Sequence, residues 1–144
     1  MKSLNKKQIE KLIKISPPFL MVDKIKDISH LKSATGIKKI KKKEWFLKCH
    51  FTDDPVMPGT LLEEAMLQTI VSTLYSSNKF KKKICLIASA KTNFFSKIDT
   101  PTILNIHVKI LNIRKLKVET TAIVKDIKSK KIASGEYNYF ISKK

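Results

Sequence analysis

Arginine is almost missing from this sequence: Arg114 is the only one among 30 basic residues. Arginine's planar fork is the usual reader of phosphates and base edges. Specific nucleic-acid recognition is therefore not expected, despite a formal net charge of +18. The lysines are spread along the whole chain, with runs at 38–39, 41–43, 81–83 and around 128–131. That pattern describes a solvated surface whose field attracts acidic partners. Cysteine is scarce as well. Cys49 and Cys85 stand alone, which excludes a disulfide framework and implies free thiols in a reducing cytoplasm. The glycines Gly36, Gly59 and Gly135 lie too far apart for a phosphate-binding glycine loop. No run approaches the roughly 18 apolar residues of a membrane span. Residues 1–14 are basic and amphipathic but lack the apolar core and cleavage site of a secretory signal, so a cytoplasmic location is expected. His30 and His107 have no cysteine or carboxylate at metal-ligand spacing, and no metal or other cofactor is expected.

What is present fits one folded unit, residues 1–144, with 42% hydrophobic residues to fill a core. Ile9, Leu12 and Ile13 recur at helical spacing over 6–15, before Pro17-Pro18. Residues 19–28 and 33–40 read as strands. Residues 45–59 are irregular, with the backbone fixed by Pro55, Pro58 and Gly59. A strong helix follows over 60–76. Its Leu61, Leu62, Ala65, Met66, Ile70, Val71 and Leu74 make an apolar surface too wide for one stripe, so other elements should wrap it. Thr60 with Glu63 reads as a capping box at its start. The pattern then changes to period two, giving long strands at 84–95, 103–113, 116–127 and 131–141. In the second, Leu104, Ile106, Val108 and Ile110 share one face, opposite Asn105, His107 and Lys109. Short links make the sheet antiparallel, and the class is α+β.

The chemistry is concentrated between Cys49 and Gln68. A histidine, His50, sits in a proline-stiffened loop that Gly59 ends at a helix N-terminus, and Glu64 follows one turn in. Elimination of water beside a thioester needs those parts: a base for the α-proton, an acid for the departing β-hydroxyl, and N–H donors for the carbonyl oxygen as it gains charge. His50 suits the base, since an imidazole ordinarily titrates at about 6.5. Glu64 suits the acid provided burial lifts its carboxyl above the usual range. Gly59 lets substrate approach the backbone closely. Glu63 competes for the acidic role but reads better as a cap. Cys49, beside His50, reads as a small packing residue. Trp45, Phe46, Phe51, Phe94 and Phe95 are candidates for an acyl tunnel or for plain core packing.

The run His50-Phe51, Pro55, Pro58-Gly59 and Glu64, fourteen positions after the histidine, resembles the β-hydroxyacyl-acyl carrier protein dehydratase family. Pro18-Phe19-Leu20-Met21-Val22-Asp23 resembles that family's N-terminal strand. The resemblance implies a hot dog fold, a long antiparallel sheet wrapped round a central helix. It implies dehydration of (3R)-hydroxyacyl chains to trans-2-enoyl chains in fatty acid synthesis, with His50 and Glu64 catalytic and Gly59 the backbone oxyanion donor. The partner it implies is acyl carrier protein bearing the acyl chain on phosphopantetheine. It also implies a homodimer or a trimer of dimers, whose sites take His50 from one subunit and Glu64 from the other. Asp54 to Gly59 is similar to the branch that also isomerises trans-2 to cis-3 enoyl chains, whereas Glu64 is similar to the general branch. Thr52-Asp53, residues 97–102 and Ser16-Pro17 depart from the family pattern. Those departures keep open a non-catalytic acyl-binding subunit and, more remotely, a thioesterase.

Overall fold

The computed structural model describes residues 3–143; Met1, Lys2 and Lys144, the ends of the span read as one domain, lie outside it. In chain order the elements are β1 (Leu4–Asn5), α1 (Lys6–Ile13), β2 (Lys24–Ser29), β3 (Ser33–Ile40), a 3-10 turn (Trp45–Lys48), α2 (Gly59–Tyr75), β4 (Lys83–Phe94), β5 (Thr102–Arg114), β6 (Lys117–Asp126) and β7 (Lys131–Lys143). The strands form one antiparallel sheet in the order β1-β2-β3-β5-β6-β7-β4. This is the α+β, sheet-round-helix architecture expected.

The sheet closes over α2 because period-two strands present one apolar face each. Leu104, Ile106 and Val108 of β5, Val118, Ala122 and Val124 of β6, and Tyr137, Tyr139 and Ile141 of β7 are all buried. Against them α2 buries Leu62, Ala65, Met66, Ile70 and Leu74. A fully buried leucine, isoleucine or methionine contributes roughly 1.5–3 kcal/mol. The helix also buries Thr69, Ser72 and Thr73 without cost in unpaired groups, since each hydroxyl donates to the carbonyl four residues back, at 2.7–2.8 Å. Helix and sheet meet closely at Gly36 of β3, where a Cβ would run into the Thr69 side chain.

The structure corrects three expectations. Residues 19–23 are not strand, although β2 follows at Lys24. The Phe19 and Leu20 N–H groups donate to the Ser16 carbonyl and the Asp23 N–H to that of Ile37, while the Gln68 side chain of α2 takes two more groups: Met21 N–H donates to its Oε1 at 2.7 Å, and the Phe19 carbonyl accepts from its Nε2 at 2.9 Å. The capping box at Thr60 and Glu63 does not form. Pro58 is the N-cap residue, and the Glu63 carboxylate accepts from Thr92 of β4 instead. A reciprocal cap exists at α1, where Asn5 and Gln8 each bond the other's backbone N–H at 2.8 and 2.9 Å. The sheet order also separates β4 from β5, although a short link joins them. β4 pairs with β7 and stands at the sheet edge. Cys49 is exposed rather than packed, and both cysteines are free thiols.

Candidate active site

The loop entering α2 is held by its own backbone. Val56 N–H donates to the His50 carbonyl at 2.8 Å, and Phe51 and Asp54 exchange N–H···O bonds at 3.1 and 3.2 Å. The His50–Phe51 peptide is cis. The half-buried His50 ring has Nδ1 3.0 Å from the Val56 carbonyl oxygen. A carbonyl only accepts, so in the neutral ring Nδ1 carries the proton and Nε2 presents its lone pair. The Phe51 ring lies against the imidazole, with centroids 3.8 Å apart. A further tie comes from the segment after β4: Lys97 Nζ meets both Asp54 oxygens at 3.0 and 3.1 Å. The departing segment 97–102 is thus tied to the residue that follows the Thr52-Asp53 departure.

Pro58 turns this loop into α2. Its carbonyl accepts from Leu61 and Leu62, so the N–H groups of Gly59 and Thr60 are the donors left at the helix start, where the helix dipole favours negative charge. A Cβ on Gly59 would meet the Phe94 ring at 3.0 Å. A side chain here would require that ring to give by a few tenths of an ångström.

One turn further, Glu64 opens into a cleft of about 300 Å³ with Ile13, Ile15, Leu67, Val71, Ile87 and Tyr139 on its walls. Burial in these apolar surroundings raises the Glu64 pKa; the hydrogen bond from Gln68 lowers it, and the neighbouring Glu63 charge raises it. Gln68 Nε2 donates to Glu64 Oε1 at 3.0 Å, which leaves Oε2 to carry the proton. Nothing in the sequence singled out this bracing by Gln68, though a buried glutamine four residues after an acid, on an apolar helix, is a readable cue. Equally unanticipated is the chain Glu63–Thr92–Tyr137. The Tyr137 hydroxyl lies 2.8 Å from Thr92 Oγ1, with the ring fully buried.

Within one chain His50 and Glu64 do not meet. His50 bonds Val56, Glu64 bonds Gln68, and His50 does not line the Glu64 cleft. Of the aromatic candidates, Phe46 is core, whereas Trp45, Phe51, Phe94 and Phe95 are exposed. His107 sits on the polar face of β5 beside Thr35, and His30 is at the surface. Among the described residues, no three His, Cys, Asp or Glu side chains gather where they could hold a metal ion.

A hot dog domain that carries a histidine in its helix-entry loop and a carboxyl on the helix defines the class of protein. The chain belongs to the FabA-like domain family, whose model matches residues 15–134. It is 32% identical over 143 residues to the 3-hydroxyacyl-[acyl-carrier-protein] dehydratase FabZ of Clostridium botulinum (strain Loch Maree / Type A3), covering 99% of each chain. The protein of the same name from Clostridium novyi is 34% identical over 113 residues, 78% of this chain and 80% of the relative. Among solved structures, a chain of the dehydratase heterocomplex ApeI:P from Xenorhabdus doucetiae superposes with a TM-score of 0.78 at 12% identity, covering 94% of this chain and 91% of that one. A hypothetical thioesterase with coenzyme A from Streptococcus pneumoniae superposes with a TM-score of 0.66 at 10% identity, covering 83% and 85%. At such identities these two speak for the fold.

Proposed function

We propose that His50 of one subunit and Glu64 of a second remove water from (3R)-hydroxyacyl chains carried on acyl carrier protein, in the cytoplasm. The protein is a 3-hydroxyacyl-[acyl-carrier-protein] dehydratase of fatty acid synthesis. The observation that carries the site assignment is the division of labour already built into one chain: an imidazole with Nε2 unprotonated, and a carboxyl that burial holds toward its neutral form.

Nε2 of His50 takes the proton from C2. That electron pair forms the C2=C3 bond, the C3–O bond breaks, and the departing oxygen takes the proton of Glu64, leaving as water. While charge accumulates on the thioester oxygen, the Gly59 N–H and the start of α2 hold it. Turnover closes when the imidazolium proton returns to the Glu64 carboxylate. General acid–base assistance of this kind contributes roughly 10²–10⁴-fold for each group.

The assembly reading rests on β4. It bonds β7 on one side, and its other edge has no strand beside it among the described residues. It displays Leu86, Ile87 and Phe94, each about half exposed. An apolar edge strand of 12 residues is a template for a second chain. A second copy pairing edge to edge gives an isologous dimer, and since Ile84, Cys85 and Ile87 of β4 line the Glu64 cleft, each cleft would then lie beside the partner.

Incubation with β-hydroxydecanoyl-carrier tests the function. The expected product is the trans-2-enoyl chain, with turnover lost in His50→Ala and Glu64→Gln while circular dichroism is unchanged. A cis-3-enoyl product marks the isomerising alternative, free acid a thioesterase, and acyl binding without turnover a binder, while rates unaffected by either substitution overturn the catalytic assignment.

A further inference from the structure

Two consecutive glutamates, Glu63 and Glu64, stand on α2, and the mechanism above uses only the second. Both are half-buried. Neighbours in sequence on a helix do not face each other, and the fold holds the two carboxyls differently. Glu64 opens into the cleft and is braced by Gln68. Glu63 turns toward β4 and accepts a hydrogen bond from Thr92 Oγ1.

The room for that contact is made on β7. Gly135 lies directly opposite Thr92 in the β4–β7 ladder. A Cβ at Gly135 would collide with the Tyr137 hydroxyl, so the missing side chain is what lets Tyr137 lean back and reach Thr92. A carboxylate only accepts, so the Thr92 proton goes to Glu63, and across 2.8 Å the Tyr137 hydroxyl donates to Thr92 Oγ1. Met66 Sδ, 3.4 Å from the same hydroxyl, is the weaker acceptor. Burial pushes the Tyr137 pKa up to about 12, which keeps that proton in place at neutral pH. Two hydroxyl dipoles thus run head to tail toward Glu63.

This relay fixes the Glu63 charge without cancelling it. In a chain of formal net charge +18, the ion pairs among the described residues are Lys6–Asp23, Lys38–Asp23 and Lys97–Asp54, and none involves Glu63. The other titratable groups on the walls of the Glu64 cleft are Tyr75 of α2, Cys85 of β4 and Tyr139 of β7. Burial pushes the first two up to about 12 and about 11 and the third well above its ordinary value, so all three are neutral near pH 7. The end of α1 contributes only Ile13 and Ile15 to those walls, and the proposed second subunit would add His50.

We infer that Glu63 is a positioning residue of the proposed dehydration: Gly135, Tyr137 and Thr92 hold its carboxylate, uncancelled, beside Glu64, so that the acid keeps its proton until the β-hydroxyl departs. The inference rests on the dehydratase reading and deepens it. Burial remains the larger cause of neutrality at Glu64. The fixed neighbouring charge adds to it, because a second negative charge nearby is poorly screened in a half-buried site.

The test uses the full chain. Glu63→Gln removes the charge but keeps an oxygen that accepts from Thr92, so the relay geometry is spared. Thr92→Val removes the anchor. Glu136→Gln is the control, since it removes the same charge from the exposed face of β7, between Gly135 and Tyr137. The titration of Glu64 is followed by carbon NMR of the carboxyls, through the resonance missing from Glu64→Gln. In Glu63→Gln it should move to lower pH, in Thr92→Val the same way, and in the double variant no further than in Glu63→Gln. Turnover should follow: at about pH 8, Glu63→Gln should lose about threefold or more in kcat/KM, through kcat. A Glu64 titration left in place by either Glu63→Gln or Thr92→Val overturns the inference, as does an equal move in Glu136→Gln. A moved titration in a protein that forms no enoyl product upholds the coupling of the two carboxyls and defeats the dehydratase reading. Enoyl product with an unmoved titration does the reverse.

Discussion

Gln68 donates to Glu64 Oε1 at 3.0 Å while its own Oε1 accepts the Met21 N–H at 2.7 Å, so one buried amide fixes the acid and the segment that covers it. Gln68→Leu would strand the Met21 N–H and the Phe19 carbonyl. Leaving buried polar groups unpaired costs about 1–3 kcal/mol each, and a drop of that order in unfolding free energy is expected from urea titration. The same change removes the one interaction that lowers the Glu64 pKa. The limb of the pH–rate profile assigned to Glu64 should therefore move to higher pH.

Glu64 has a second signature, in stability. Its carboxyl is raised in the folded state, mainly by burial. A raised carboxyl contributes stability that is fully present below the unfolded-state value and is lost as pH rises through the folded one. Glu64→Gln, which cannot ionise, should gain in melting temperature relative to wild type as pH climbs from about 4 toward neutrality, and show no pH-dependent difference below that. A difference that stays flat across the range would contradict burial of the carboxyl.

Subunit mixing reads the division of the site directly. His50→Ala and Glu64→Gln homo-oligomers should each be inactive. Dissociated and reassembled together in equal amounts, they should recover about a quarter of wild-type activity, because half of the dimers are mixed and each of these has one intact site. No recovery would mean that both groups act within one chain. Leu86→Glu, at an exposed position of β4 outside the Glu64 cleft, should give a monomer by sedimentation and lose activity with it.

The contact between β3 and α2 predicts a compensating pair. Gly36→Ala drives a methyl into Thr69 and should cost about 1–3 kcal/mol, the usual penalty for overpacking. Adding Thr69→Ala removes the clashing hydroxyl and methyl, so the double variant should be more stable than Gly36→Ala alone by thermal melt. Additive losses would show that the tight spot yields by some other movement.

Much of the fold is written in local pattern. Strand faces such as Leu104-Ile106-Val108 follow from a period of two, and the all-round apolar surface of α2 demanded a wrapping sheet. The histidine loop, Gly59 and Glu64 could be found because their spacing lies within 15 residues of one continuous segment. Proximity across the chain left no such trace. Residues 19–23 look like a strand by composition, yet hydrogen-bond an amide 47 residues away. Glu63 looks like a cap, yet pairs with Thr92 on another element. The lysines looked uniform until α1 and the α2–β4 turn brought Lys11 and Lys14 beside Lys81 and Lys82. Side-chain periodicity is set by backbone geometry and is local. The partner of a buried polar group, or the company a surface charge keeps, is set by which elements the core draws together, and only the folded chain decides that.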